Sequence, residues 1–250
     1  MRNQKYAYQY HLMLLPVMAF LVIFHILPMF GVIIAFEKFI PTRGFFGSEF
    51  VGLKYFQQML KMSISWRIFR NTVVIAVWKI AMNMVVPITF SILLNEVRVE
   101  GFKRTAQTII YLPHFLSWVV LAIPIMNIFA YDGVVNNIVR AFGGSPILFM
   151  SSNSWFRPIL IMTDVWKEFG FGTIVYLAAI TGIDPALYEA AVMDGAGRFR
   201  RVWSVTLPSI MPTIVILLIM RIGNMMTLGW EKIVLLYNQM TYETSDVIST

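Results

Sequence analysis

Long apolar stretches with few or no charged residues dominate the pattern of the sequence. Residues 11–36 and 105–131 contain no Asp, Glu, Lys or Arg, and residues 71–95, 158–182 and 208–230 contain only a few. A helix rises about 1.5 Å per residue, so each stretch is long enough to cross a hydrocarbon core of about 30 Å. The pattern therefore predicts an all-α, polytopic bundle with five membrane-spanning helices.

Polar segments separate these stretches. Residues 37–67 and 132–157 are polar, contain glycine and are predicted to be loops. The first apolar stretch is too long and too bulky for a cleaved signal peptide, so we expect it to be retained. Residues 183–208 form a shorter amphipathic segment between the fourth and fifth spans.

Composition supports a membrane protein and argues against other classes. The chain is 58% hydrophobic and 13% charged, with a mean hydropathy of +0.70, whereas soluble domains carry about 25% charged residues. The net charge of +7 comes from Lys and Arg scattered between apolar segments, so we expect no nucleic-acid partner. Cysteine is absent and the three histidines are far apart in sequence, so no metal site is predicted.

The Lys and Arg residues of the loops do not decide the orientation of the chain. With a cytoplasmic N-terminus, the inner and outer segments would each hold eight of them. The inner residues lie in shorter loops, which favours a cytoplasmic N-terminus without establishing it.

The segment between the fourth and fifth spans contains residues typical of helix ends. Asp184 is a natural N-cap, Pro185 suits the first helical position, and Gly195 is a natural stop. They predict a short helix from Pro185 to about Asp194. Small alanines beside Glu189 give this helix a flat surface with one carboxylate, which fits either a protein groove or an ordinary re-entrant loop. From Arg198 onwards we expect a second helix at the membrane surface.

Three short motifs in this segment resemble the conserved cytoplasmic loop, the EAA loop, of binding-protein-dependent ABC importer permeases. They are Glu189-Ala190-Ala191, Asp194-Gly195-Ala196 and Val205-Thr206-Leu207-Pro208. A looser similarity runs from Trp166-Lys167 to Tyr242-Glu243. It points to the oligosaccharide branch near the maltose-permease class, which includes carriers of acidic sugars such as alginate or aldouronate oligosaccharides.

The resemblance implies a type I ABC importer permease domain over residues 1–250, with residues 183–208 as the cytoplasmic coupling loop. The loop would dock in an ATPase cleft through Glu189, Ala190, Ala191, Asp194, Gly195, Ala196, Leu207 and Pro208. A cytoplasmic loop places the N-terminus inside, in a multi-pass protein of the bacterial inner membrane. The family has a sixth span, which we expect beyond Thr250.

The resemblance also implies partner subunits, and it assigns ATP binding to one of them. We expect a second permease subunit, two ATPase subunits and an extracytoplasmic sugar-binding protein, with membrane lipid around the spans. No cofactor is expected on this chain, because ATP and Mg would be bound by the ATPase. The chain itself contains no phosphate-binding loop motif.

Sugar sites combine aromatic rings with hydrogen-bonding groups, which gives a set of candidate substrate-path residues within the spans. Trp166 and Trp230 are equally compatible with lipid-facing positions. An anionic sugar would give partners to Lys79, Lys167 and Arg221, the cations within or near spans. The candidates are Asn83, Asn127, Trp166, Lys167, Arg221, Asn224 and Trp230.

Two other functional classes compete with the importer subunit. A membrane enzyme would need a nucleophile or a metal site, and the motifs G-x-S-x-G and H-E-x-x-H are both absent. An ion-coupled secondary transporter would explain Asp164, Lys167, Glu168 and Arg221 as a relay. Alternatively, Asp164 and Lys167 could neutralise each other at their i, i+3 spacing.

Overall fold

The structure, a computed structural model, describes residues 4–44, 47–225 and 229–250, and these are mostly helical. The all-α fold is confirmed. The chain divides into two compact units, Met1–Trp66 and Arg67–Thr250. Residues 226–228, which belong to the predicted fifth span, lie outside the described residues.

The first unit contains an apolar helical run and a small polar segment. The run passes from an α-helix (Gln4–Leu21) through a π-helical turn (Val22–Ile26) and a short α-helix (Leu27–Met29) to a 3-10 helix (Phe30–Phe36). Its Gln9–Phe36 part is long and apolar enough to cross a membrane. The predicted loop that follows contains two paired antiparallel strands, Glu37–Lys38 and Glu49–Phe50, and a helix, Lys54–Lys61.

The second-span helix (Ser63–Glu96) begins before the stretch predicted from apolar residues, which started at residue 71. Its first turns carry Arg67 and Arg70, and an apolar pattern detects only the part of a helix that lies in hydrocarbon. Most of this helix belongs to the second unit.

The third span is not the single helix that the uncharged stretch predicted. A helix over Glu100–Tyr111 and a 3-10 turn (Leu112–Phe115) are followed by a second helix (Trp118–Ile128), and the two halves are bent by 105°. Proline in the 3-10 turn lacks an N–H and interrupts the helical hydrogen bonds. Ser117 restarts the helix, because its hydroxyl accepts a hydrogen bond from Val120 N at 3.3 Å.

The fourth-span helix (Asn153–Thr181) also starts earlier than predicted, and a bend of 69° separates it from a short helix (Pro185–Met193) in the predicted coupling loop, called the coupling helix for that predicted role. The predicted loop before it contains an α-helix, Val134–Ala141, and a 3-10 turn, Phe149–Ser151. The fifth-span helix (Arg198–Gly223) is continuous. The predicted helical stretch from Arg198 is therefore present and is continuous with the fifth-span helix, which the apolar pattern started at residue 208.

A polar segment follows the fifth span and packs against the beginnings of the second- and fourth-span helices. It contains the helix Trp230–Leu236, a 3-10 turn (Gln239–Thr241) and a last helical turn (Tyr242–Ser245). Asn71 Nδ2 donates hydrogen bonds to the carbonyl oxygens of Glu243 and Asp246, both at 3.0 Å. These bonds fix the segment to the end of the bundle where the fourth span starts.

Two apolar clusters hold the second unit together. The larger cluster joins the second-, third- and fourth-span helices to the segment after the fifth span, and the smaller one joins the fourth- and fifth-span helices. The larger includes Ile75, Leu121, Ile125, Phe156, Leu160, Ile233 and Leu236, and the smaller Tyr176, Ile180 and Ile210. Between these clusters the same helices carry polar side chains that form a cavity.

Candidate functional site: a charged cavity and the coupling loop

The second unit contains a cavity of about 490 Å³. Charged and amide side chains from the second-, fourth- and fifth-span helices line it, together with one tryptophan from the third span. Its lining consists of Ala76, Lys79, Ile80, Asn83, Trp118, Asp164, Glu168, Leu217, Met220, Arg221, Asn224, Met225 and Gly229. A cavity with this lining can bind a polar solute by hydrogen bonds and by charge.

Asp164 is the centre of a buried ion cluster in the cavity wall. Its Oδ1 lies 3.0 Å from Lys79 Nζ and 2.8 Å from Lys232 Nζ, and its Oδ2 accepts a hydrogen bond from Asn83 Nδ2 at 3.1 Å. Lys232 also donates to the carbonyl oxygen of Leu160 at 2.8 Å. The carboxylate therefore joins the second span, the fourth span and the segment after the fifth span.

Glu168 forms a second ion cluster one helical turn further along the fourth span. Its carboxylate lies 3.0 Å from His114 Nδ1 and 3.3 Å from Lys167 Nζ. Lys167 also donates to the carbonyl oxygen of His114 at 3.1 Å, which satisfies the backbone where the third span is broken. The ring of Trp118, just after the break, lies 5.3 Å from Lys167 Nζ.

In both clusters the carboxylate lines the cavity and one paired lysine lies behind it. Each cavity-lining carboxylate is paired with a lysine that does not line the cavity: Lys232 pairs with Asp164, and Lys167 with Glu168. Lys79 and Arg221 line the cavity as well. The lining itself thus holds two cations and two carboxylates, and with the two lysines behind it four cationic side chains accompany two carboxylates around the cavity.

The structure separates the seven predicted substrate-path residues into two groups. Asn83, Arg221 and Asn224 line the cavity. The other four do not, because Asn127, Trp166 and Trp230 are exposed elsewhere on the chain and Lys167 is turned towards Glu168 and His114. Exposure of the two tryptophans agrees with lipid-facing positions.

Three features of the cavity differ from the sequence-based expectations. Asp164 pairs with Lys79 and Lys232, and not with Lys167 as one of the two alternatives for these residues had it. Lys232, which is not among the candidate residues, is buried, and the apolar residues that follow it in sequence are the signal that could have indicated this. Trp118 was not predicted, because the position of the break in the third span decides which residues face the cavity.

The coupling helix has the local geometry that its sequence predicts. Asp184 Oδ1 accepts a hydrogen bond from Ala186 N at 2.9 Å, and the helix begins at Pro185. At its other end Gly195 adopts φ +77°, a left-handed conformation that favours glycine. Ala196 N donates to Ala191 O at 2.8 Å, which closes the helix end.

The predicted ATPase-coupling residues are distributed between this helix and the start of the fifth span. Glu189, Ala190, Asp194, Gly195 and Pro208 are exposed, and Ala191, Ala196 and Leu207 are half-buried. Tyr188, which was not predicted, lies on the same helix, and its hydroxyl is 3.0 Å from Thr206 Oγ1. The coupling helix is thereby bonded to the fifth-span helix.

Comparison with known proteins decides between the functional classes. A family model described as "binding-protein-dependent transport system inner membrane component" matches residues 87–229, which include the whole coupling loop. The chain belongs to this family. The importer subunit is therefore the correct class, and the ion-coupled carrier is not.

A curated relative of this inner membrane component is the polygalacturonan/rhamnogalacturonan transport system permease protein YteP of Bacillus subtilis (strain 168). It is 44% identical over 249 residues, 99% of this chain and 77% of that protein. A crystal structure of a bacterial ABC transporter involved in the import of the acidic polysaccharide alginate contains a similar chain, with a TM-score of 0.90 and 39% identity over 100% of this chain and 84% of that one.

The alginate transporter has also been solved in complex with an alginate pentasaccharide-bound periplasmic protein. Its matching chain has a TM-score of 0.90 and 38% identity, and the match covers 99% of this chain and 83% of that one. Identity at this level, together with the family match, shows that the present chain has the type I ABC importer permease fold and is a multi-pass inner membrane component.

Proposed function

We propose that this chain is the permease subunit of an ATP-driven, binding-protein-dependent importer of oligosaccharides that contain uronic acid. The relatives carry names that refer to polygalacturonan, rhamnogalacturonan and alginate, all of which contain carboxylated sugars. The observation that carries the proposal is the excess of positive charge around the cavity. A buried cation in a membrane protein is costly unless it has a partner or a ligand.

Neutral sugars would gain less from this cavity than acidic ones. Asn83 and Asn224 can hydrogen-bond sugar hydroxyls, and Trp118 adds an aromatic surface. Lys79 and Arg221 add charge, and charge-assisted hydrogen bonds are roughly twice as strong as neutral ones. A uronate carboxylate would thus be recognised in addition to the sugar ring.

Coupling to ATP hydrolysis is assigned to residues 183–208. The exposed carboxylate of Glu189 and the small residues beside it would dock in a cleft of an ATPase subunit that binds ATP and Mg. This places the coupling loop and the N-terminus in the cytoplasm. A second permease subunit, a pair of ATPase subunits and an extracytoplasmic sugar-binding protein would complete the transporter, with this chain forming part of the translocation path.

Reconstitution of the purified transporter in proteoliposomes tests the proposal. With ATP inside and the binding protein outside, we expect uptake of oligogalacturonate or oligoalginate and little uptake of maltotriose. Preferential uptake of maltotriose would contradict the acidic substrate. Uptake that needs an ion gradient and no ATP would contradict the ATP-driven mechanism.

A further inference from the structure

Asp164 has two cationic partners, although one would neutralise its carboxylate. Lys79 Nζ and Lys232 Nζ contact the same carboxylate oxygen, Oδ1, at 3.0 Å and 2.8 Å. One ammonium is sufficient to neutralise one carboxylate, and two ammonium groups on one oxygen repel each other. One of the two lysines can therefore move away from Asp164, and the other still neutralises the buried carboxylate.

The two lysines are held to different extents. Lys232 is 1% exposed, donates a second hydrogen bond to the carbonyl oxygen of Leu160, and lies 4.7 Å from the centre of the Trp118 ring. The side chain of Lys79 is 16% exposed and lines the cavity. Lys79 is therefore the lysine that a ligand in the cavity can reach.

A residue without a side chain lines the cavity beside Lys79. Gly229 lies next to it, and a Cβ atom at this glycine would be 3.9 Å from Lys79 Nζ. The same glycine has φ +71°, so other residues would be strained there. Arg221, whose guanidinium group forms no ion pair among residues 4–44, 47–225 and 229–250, is a second cation in the cavity lining.

We propose that Lys79 is the residue that binds the substrate carboxylate, and that it does so by exchanging its contact with Asp164 for one with the uronate, while Lys232 stays on Asp164. This inference rests on the proposed function. Before exchange the three side chains carry one excess positive charge, and after exchange that charge is balanced by the ligand. A neutral sugar cannot replace Asp164 as the partner of Lys79, so the exchange selects for anionic sugars.

Binding to the purified transporter without its binding protein tests the exchange, with trigalacturonate and its methyl ester as probes. We expect Lys79→Met to weaken trigalacturonate binding roughly ten- to hundredfold, the loss typical of a charge-assisted hydrogen bond, and to change methyl ester binding little. Lys61→Met removes a charge from an exposed position in the first unit and serves as the control; it should alter neither affinity.

Asp164→Asn gives the opposite and more diagnostic prediction. Removing the competing carboxylate should strengthen trigalacturonate binding severalfold, whereas a purely structural ion cluster would lose affinity for both probes. Lys79→Arg keeps the charge and should retain a preference for the acid over the ester. This variant keeps the exchange testable if the Lys79→Met transporter does not assemble.

Two results would overturn the exchange. In a wild-type transporter that imports oligogalacturonate, they are equal losses for both probes in Lys79→Met, or weaker trigalacturonate binding in Asp164→Asn. Failure of the proposed function is distinguishable from these, because the wild-type transporter would then import maltotriose in preference to oligogalacturonate, or no saccharide, in proteoliposomes.

Discussion

Gly195 offers a quantitative test of the coupling loop, because within the chain its substitution acts through backbone strain and causes no clash. The residue has φ +77°, and a Cβ atom added there would meet no atom within 4 Å. Left-handed backbone costs an L-residue roughly 1–2 kcal/mol, less for asparagine and more for a β-branched residue. At about 1.4 kcal/mol per tenfold change, the native turn would be populated roughly five- to thirtyfold less.

The expected order of defects is therefore Gly195→Asn, then Gly195→Ala, then Gly195→Val. The defects are measured on membrane-inserted protein, by co-purification of the ATPase subunit and by saccharide-stimulated ATP hydrolysis. Gly197→Val is the matched control, since Gly197 has φ −67° and ψ 172° and also has open space around it. Wild-type coupling in Gly195→Val, or an equal defect in Gly197→Val, would refute the reasoning.

Three further substitutions test other parts of the structure. Glu189→Ala keeps the coupling helix and should lower stimulated ATP hydrolysis severalfold without affecting membrane insertion, as measured on the reconstituted transporter. Gly170→Ala would place Cβ 1.9 Å from the carbonyl oxygen of Ile110 and should lower the melting temperature in detergent by overpacking worth about 1–3 kcal/mol, whereas Gly182→Ala, with its nearest atom at 3.5 Å, should not. Asn71→Leu removes two hydrogen bonds to the segment after the fifth span and should make that segment more sensitive to limited proteolysis.

The sequence carried the information for elements that depend on local chemistry. Asp184, Pro185 and Gly195 define the coupling helix through a cap, a fixed φ angle and a left-handed residue, and all three signals act within a few residues. The apolar stretches likewise reflect hydrocarbon around each helix. For this reason the all-α membrane fold could be predicted directly from the residues.

Features that depend on contacts between helices could not be predicted in this way. The bend in the third span turns Trp118 into the cavity. An uninterrupted apolar stretch predicts neither the position of this bend nor its angle of 105°. Lys232 is 68 residues from its partner Asp164, so its burial follows from how the helices pack. The alternative that paired Asp164 with Lys167 considered only neighbours on one helix, whereas the observed partners, Lys79 and Lys232, lie far away in sequence.

The cavity and the coupling loop are connected by the two helices that flank the loop. The fourth-span helix carries Asp164 and Glu168 and leads through a 69° bend into the coupling helix. The fifth-span helix begins beside that loop, where Thr206 contacts Tyr188, and carries Arg221 about 22 Å further along at 1.5 Å per residue. A displacement of the coupling helix by an ATPase would therefore act on both walls of the cavity at once. Arg221 on the fifth span would then move relative to Lys79 on the second span, and we expect a carboxylate bound by both to be released.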